Sequence, residues 1–508
     1  MRFGKLTGAT GNHEVRTVAD KAWLLCLLVA VFFGVVTAVA GAVVATGLLA
    51  ALVAGGFTLA NYRFGLWCLV LLLPLSATAI FPREILGITG ANPYNALFGI
   101  TLLSFFAERL WKPEAGWTLA YPRFWWAYLA PIVVAALVGV MHFSEIPAFA
   151  FSNELILFTS PFGYVRDILI KPLIYLLLAF LIGTACRAGM KPNAVIAAMC
   201  LSIWLFAAWV FAYVLVSGIG LGQLAGATSR ESLSGTGMHA NELGALSASM
   251  LTLMIFAIAN PDKSQMPRGL YVITAGIAGA LLLISFSRGA FLAFAIGLTV
   301  FFVFQRRLKI ILVGLIVVAV ILPILPGELF ERLSTGVNTG GTMVLHSSDD
   351  PLTAGRVAGV WLPLLTEVQS HPLIGNGLLS VAWSWPFRSG ALGLATLNPH
   401  NLYLKMLLEI GVLGLLLMLW FFFDLWRRLR AAAADPATPQ NLAWLFVGSS
   451  AALLGYAGYG LSGGDYLPDP SNALLWIVWG VLLAVPAGRF GGVKGNERMS
   501  QANAAPPA

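Results

Sequence analysis

The chain has 508 residues, of which 59% are hydrophobic and 10% charged, and its mean hydropathy is +0.84; this excludes a water-soluble globule. The apolar runs are continuous and not alternating, which argues against an outer-membrane barrel and for helices that close their own backbone hydrogen bonds. A formal net charge of +8 with no soluble basic domain reads as membrane topology and not as nucleic-acid binding.

About 20 apolar residues cross a bilayer as a helix, and such stretches follow one another along this chain. Residues 1–21 read as a polar cytoplasmic tail. The apolar run after it is too long for a signal peptide and is expected to stay as an uncleaved span. Residues 23–60 exceed one span and read as a tight pair of helices. Further spans are expected at 64–81, 95–107, 124–141, 167–185, 193–217, 241–260, 270–286, 290–304 and 310–325. Between them, an aromatic segment at 142–165 suits the interface, and a Gly/Ser-rich loop at 218–240 carries Arg230 and His239. Residues 327–398 form one large external loop, and spans at 400–424, 441–460 and 471–487 follow it. The fold class is therefore an all-α polytopic membrane protein with about 12–14 spans. Its divisions are the tail 1–21, transmembrane helices 22–326, the large loop 327–398, C-terminal spans 399–488, and a cytoplasmic tail 489–508 expected to be disordered.

Within the large loop, residues 351–368 read as an amphipathic helix, which His371-Pro372 and Gly375-Asn376-Gly377 then break. Trp383, Trp385 and Phe387 suit a membrane interface. The four cysteines, Cys26, Cys68, Cys186 and Cys200, lie in or beside apolar segments without metal-like spacing, so they read as lipid- or core-facing.

This threading places about 21 of the 30 Lys and Arg on the cytoplasmic side, as short loops require. The exceptions are Arg83, Arg166, Lys171, Arg230, Arg288, Arg332, Arg356, Arg388 and Lys405. Most are arginine, whose planar fork suits phosphate, so an outward-facing anion site is expected.

Asn398 has the chemistry of an N-cap and Pro399 that of a first helical residue, which puts His400 in the first turn of a span. The helix dipole there disfavours imidazolium and favours a neutral, base-competent ring. The competing reading is an interfacial histidine that only caps the helix. Lys405 and Glu409 are one helical step apart, in register to pair. Arg288 sits between two spans with almost no loop, where its charge needs either an anionic partner or lipid headgroups to snorkel to. Arg166 and Lys171 lie near the external start of another span, with snorkelling the stronger reading for Lys171. His239 opens a further span and either meets an acceptor hydroxyl or caps. Arg356 either folds over the site or occupies a solvated helix face. Asp349-Asp350 looks like a metal pair, but two Asp before Pro351 more often start a helix. No His/Cys/Asp cluster has metal spacing, and there is no Walker-type loop; no metal and no cofactor are expected.

Three segments occur in order around the large loop: Ser285-Phe286-Ser287-Arg288-Gly289-Ala290; Gly355-Arg356, Trp361 and His371 to Gly377; and Pro399-His400-Asn401-Leu402-Tyr403 with Glu409-Ile410-Gly411 and Gly414. Together they resemble the O-antigen ligase and O-antigen polymerase superfamily, over roughly residues 190–430. The resemblance implies a GT-C-like, all-helical glycosyltransferase of the bacterial inner membrane with its site facing the periplasm. Such enzymes take a glycan from undecaprenyl pyrophosphate. A ligase passes it to the lipid A core in lipopolysaccharide biosynthesis, and a polymerase passes it to another lipid-linked repeat. It further implies an inverting, metal-independent displacement with His400 as general base and Arg288 and Arg356 on the pyrophosphate. Arg166 and Arg230 would add pyrophosphate contacts, and His239, Asn401 and Tyr403 would stand beside the acceptor.

The favoured reading is the ligase, with membrane lipids as surroundings and no nucleic-acid partner. The alternative is a polymerase of O-antigen or exopolysaccharide repeats. A flippase or transporter should instead show midplane ionisable residues or broken helices in paired halves, whereas polar residues here collect at one face. A structural scaffold leaves His400 and the external arginines without a role.

Overall fold

The protein is described by a computed structural model covering residues 42–81, 84–85, 88–90, 92–112, 119–122, 124–219, 233–259, 266–305, 356–390 and 397–485. The first helix of the expected N-terminal pair, the span at 310–325, Arg83, Arg230, Arg332, Asp349-Asp350 and both tails lie outside those residues. Two units are distinguished: Met1–Gly65 with Asn95–Trp111, and Leu66–Tyr94 with Lys112–Ala508.

In the first unit, helix α1 (Ala42–Ala60) is followed by the start of α2 (Tyr62–Leu72). Tyr62 meets Phe105 edge-on at 5.3 Å, with Phe105 carried by α3 (Pro93–Trp111). The guanidinium of Arg109 lies over the Phe105 ring at 4.6 Å. The expected span at 64–81 stops at Leu72, because Pro74 opens a separate 3-10 turn to Ala77.

The second unit contains α4 (Trp125–Met141), α5 (Ala148–Ser152), α6 (Pro161–Arg187), α7 (Pro192–Val216), α8 (Ala240–Ala259), α9 (Arg268–Ser285), α10 (Arg288–Gln305), α11 (Val357–Val368), α12 (Trp385–Arg388), α13 (Leu402–Ala434), α14 (Gln440–Tyr459) and α15 (Ala473–Leu482). Six of these, α6 to α9, α13 and α14, are long and apolar enough to cross a membrane. The chain is thus an all-helical, multi-pass membrane protein. Among the described residues, strand structure is confined to a two-residue antiparallel ladder, Glu84–Ile85 with Ile88–Thr89.

Helices α8, α9, α10 and α14 pack on one another. Without a hydrophobic drive between helices in lipid, such packing depends on close backbone approach at small residues. Gly455 of α14 lies against the Ala293 carbonyl of α10, and Gly480 of α15 against the Ala179 carbonyl of α6, with no space for a Cβ at either. Cys68 and Cys200 are buried and Cys186 is half-buried; Cys26 is outside the described residues.

The described part of the large loop, residues 356–390, folds inward more than its composition implies. Of the three aromatics expected at the interface, Trp385 is 65% exposed, but Trp383 and Phe387 are 6% and 1% exposed. Phe387 packs on Phe149 at 5.2 Å and Trp383 stacks on His142 at 5.7 Å.

Helix α13 is not continuous. Gly411 adopts φ 66° and ψ −174°, and the loop segment 372–377 enters the gap. The amides of Val412 and Leu413 donate to the Pro372 and Leu373 carbonyls at 2.8 and 3.1 Å, while Asn376 and Gly377 donate to Leu408 and Glu409 at 2.7 and 3.1 Å. Bonds within the helix are thus exchanged for bonds to the loop. Glycine is required on both sides: Gly375, at φ 76°, lies against the Glu409 carbonyl, and Gly411 against that of Leu373. A broken helix with a buried carboxylate is an expectation for a transporter; here it closes a loop onto a span and recurs in no paired half among the described residues.

Candidate active site

The Ser-Arg-Gly motif lies at a turn of minimal length. Phe286 takes the left-handed conformation (φ 44°) and ends α9, and α10 begins at Arg288. Ser287 Oγ donates to Asn241 Oδ1 at 3.0 Å, and accepts from the Ala290 amide at 3.4 Å. Gly289 packs so tightly on Ser462 and Tyr459 that a Cβ would overlap the Ser462 hydroxyl. Arg288 is half-buried, and its side chain makes no hydrogen bond or ion pair with the described residues.

Arg356 starts the loop helix and reaches the same place. Its Nη1 donates to the Ser462 carbonyl at 3.2 Å. Burial and the neighbouring Arg288 guanidinium lower Arg356 from the usual arginine range, while Tyr459 acts in the other direction. Two like charges thus approach one another in a partly desolvated setting. One turn further along α11, Trp361 Nε1 donates to the Pro399 carbonyl at 2.8 Å, which ties this helix to the segment that carries His400.

Here the structure corrects an expected cap. Asn401, not Asn398, is the N-cap of α13; its side chain accepts from the amides of Tyr403 and Leu404, both at 3.1 Å. His400 therefore precedes the helix and does not occupy its first turn. It sits in the left-handed region at φ 52°, with its amide donating to Asn398 Oδ1 at 2.9 Å. The Asn398 turn bends the chain before the helix, so Pro399 cannot be its first residue. Left-handed non-glycine residues are uncommon, and such local strain is concentrated at functional sites.

The segment 460–472 joins these parts. Its Gly460 carbonyl accepts from the Leu402 amide at 2.7 Å, and its Ser462 carbonyl holds Arg356. Tyr403, expected beside an acceptor, directs its hydroxyl to the Ala457 carbonyl at 2.7 Å. Arg288, Arg356 and the Pro399-His400-Asn401 turn are thereby gathered around one strap, a segment that reads in sequence as no more than a short external turn. The signal available there is its density of acids, Asp465 and Asp469 within a Gly/Pro-rich run.

Other candidates resolve differently. His239 caps α8: its Nδ1 accepts from the Asn241 amide at 3.2 Å and its own amide donates to Glu242 at 3.0 Å, a reciprocal cap. Through Asn241 it abuts Ser287. Arg166 lies on a π-turn, Val165–Ile170, and donates to both oxygens of Asp167 at 3.0 and 2.9 Å. Lys171 shares that carboxylate at 2.6 Å. Arg388 pairs with Glu145 at 3.1 Å. The expected Lys405–Glu409 pair is not formed. Lys405 pairs with Asp465, and Glu409 accepts from Tyr466 at 2.6 Å and from the Leu379 amide at 2.9 Å, because the strap and the loop reach these side chains from outside their helix.

The strap is acidic and partly buried. Burial and the neighbouring Asp465 push the Asp469 carboxyl up to about 6, against hydrogen bonds from Ser471 and Asn472 that lower it. Beside the strap, α13, α14 and α15 enclose a cavity of about 350 Å³, lined by residues such as Met406, Phe422, Trp426, Leu453 and Trp476, with Asp465, Tyr466 and Asn472 also lining it. Among the described residues no group of three or more His, Cys, Asp or Glu is gathered as metal ligands.

Residues 272–419 match the family model of the O-antigen ligases. That stretch holds Arg288, Arg356, His400, Asn401 and Tyr403, and the resemblance read from the motifs is borne out there. Two curated proteins, each provisionally named a polysaccharide ligase, are similar to parts of the chain. The one from Rickettsia prowazekii (strain Madrid E) is 30% identical over 146 residues, 27% of this chain and 35% of its own length. The one from Rickettsia bellii (strain RML369-C) is 28% identical over 182 residues, 34% of this chain and 42% of its own length. The chain thus spans less than half the length of these relatives. The strap, Arg166 and His239 lie outside the O-antigen ligase match.

Proposed function

We propose that this protein is a periplasm-facing, inverting glycosyltransferase of the inner membrane that moves a glycan from undecaprenyl pyrophosphate to the lipid A core. The family match and the names of the relatives support a glycan transferase of ligase type. The observation that carries the reading is the gathering of two adjacent guanidiniums, Arg288 and Arg356, with the His400 turn around one strap.

The chemistry follows from those groups. The acceptor hydroxyl oxygen attacks the anomeric carbon from the face opposite the pyrophosphate. The bond from that carbon to the phosphate oxygen breaks, and its electron pair leaves with the pyrophosphate. Arg288 and Arg356 receive the growing negative charge, in the role a metal ion plays elsewhere. His400 takes the hydroxyl proton. Holding His400 ahead of the helix, and not within it, lets a short strained turn set the imidazole relative to the arginines. The apolar cavity beside the strap suits the hydrocarbon of a lipid-linked substrate.

The test is transfer by the purified protein from a lipid-linked glycan to a lipid A core acceptor. His400→Ala should lower the rate by about 10²–10⁴-fold, the usual worth of a general base, with donor binding retained. Full activity of His400→Ala would remove the imidazole from the mechanism. In a deletion strain, polymer should vanish from lipid A and persist on the lipid carrier; core capped with a single repeat would instead identify a polymerase.

A further inference from the structure

A lysine–aspartate pair in a membrane-embedded helix bundle needs a reason. Lys405 lies one turn into α13, with its amide donating to the Asn401 carbonyl at 2.9 Å. Its ammonium pairs with Asp465 of the strap, and both side chains are mostly withdrawn from solvent, at 15% and 26% exposure. Ion pairs in such settings seldom raise stability, because desolvation offsets the attraction and apolar residues of like size do as well or better. Stability alone therefore does not account for the pair.

Its position does. Asp465 lies three residues beyond Ser462, whose carbonyl holds Arg356, and five beyond Gly460, whose carbonyl accepts from Leu402. Lys405 lies five residues beyond His400 on the helix that this turn opens. The strap is further stiffened where Tyr456 Oη bonds both the amide and the carbonyl of Asp465 at 3.0 Å. Asn472 Nδ2 bridges to the Leu467 carbonyl at 3.0 Å, and Asp465 Oδ1 accepts from the Leu467 amide at 3.0 Å. Further along α13, Tyr466 reaches Glu409 at 2.6 Å. The strap thus meets α13 at three levels, through a main-chain bond at Leu402 and side-chain contacts at Lys405 and Glu409, and the ion pair is the side-chain grip nearer His400.

We infer that Lys405 and Asp465 are positioning residues: their ion pair fixes the strap on α13 and so sets the distance between the Arg288–Arg356 anion site and His400. The inference rests on the transferase reading proposed above. Neither side chain meets the glycan. Each acts through the backbone carbonyls of Gly460 and Ser462, and small displacements of reacting groups are costly in rate.

The experiment compares wild type with the double variant Lys405→Met/Asp465→Asn in detergent or nanodiscs. The Asp465→Asn change keeps an acceptor oxygen for the Leu467 amide, so the ion pair alone is removed. The double variant should fold, because the two opposite charges are removed together and Glu409 keeps its hydrogen bonds from Tyr466 and the Leu379 amide. Its turnover should fall at least about tenfold while the donor KM stays within about threefold, and Lys405→Arg, which keeps the charge, should retain most of the turnover. Hydrogen exchange supplies a readout independent of activity: the amides of Leu402 and Leu467 should exchange faster in the double variant, and those in the middle of α14 should not. Unchanged exchange at Leu402 and Leu467 overturns the pinning. Faster exchange with wild-type turnover overturns the positioning role, and so does a double variant that fails to fold, since the pair is then simply structural. If wild type itself transfers no glycan, the transferase reading fails, and the exchange measurement still decides whether the pair holds the strap.

Discussion

Arg166 and Arg288 are both arginines at the end of an apolar helix, yet they stand in opposite electrostatic settings. Arg166 has a carboxylate gripped through two hydrogen bonds, and Lys171 shares that carboxylate. The Arg288 side chain has neither ion pair nor hydrogen bond among the described residues, and it acts on Arg356 as a neighbouring like charge. Like charges brought together in a partly dry site repel one another unless an anion arrives. The first arrangement carries its own counter-charge; the second has none among the described residues, as the anion site proposed above requires. An arginine's place in the membrane topology therefore does not separate the two, whereas the presence or absence of an acidic partner among the described residues does.

Three substitutions can break or sharpen this contrast. Arg288→Lys should lower glycan transfer by about a hundredfold, because a point charge cannot reproduce the two-pronged contact with phosphate oxygens; near-normal rates would make Arg288 a headgroup anchor. Arg356→Gln should cost about tenfold, mainly in the donor KM, since the neutral amide relieves repulsion with Arg288 while losing one phosphate contact. A rise in donor affinity would show that the two cations do not share an anion. Arg166→Gln should change transfer by less than about twofold and stability by about 1 kcal/mol or less, as expected for a partly exposed ion pair. A loss as deep as that of Arg288→Lys would erase the distinction.

Part of this is readable in the chain. The helices at 124–141, 193–217, 241–260, 270–286 and 441–460 lie within a few residues of their expected positions, because continuous apolar runs in lipid leave the backbone no alternative to a helix. The difference between the two arginines is also present: Asp167 adjoins Arg166, whereas no acid occurs between Asp262 and Glu328. The cap of α13 is not decided by residue type, since Asn398 and Asn401 are equally good caps. The choice is made by Leu402 bonding to Gly460, far away in sequence. The strap is hidden for the same reason. Its contacts to Arg356 and Leu402 run through main-chain carbonyls, and a carbonyl carries no mark in a sequence. For Lys405, one-dimensional spacing points to the acid on its own helix and cannot see Asp465 approach from the side.

The interruption at Gly411 also trades one set of partners for another. Before residues 372–377 dock, the amides of Val412 and Leu413 have the Leu408 and Glu409 carbonyls, four residues back, as partners in an unbroken helix, and docking exchanges those bonds for bonds to the loop. The last part of the large loop thus takes over bonds that the helix could make alone, and none of these amides and carbonyls goes unpaired in either arrangement. Docking thereby joins the loop to the same helix that the His400 turn precedes.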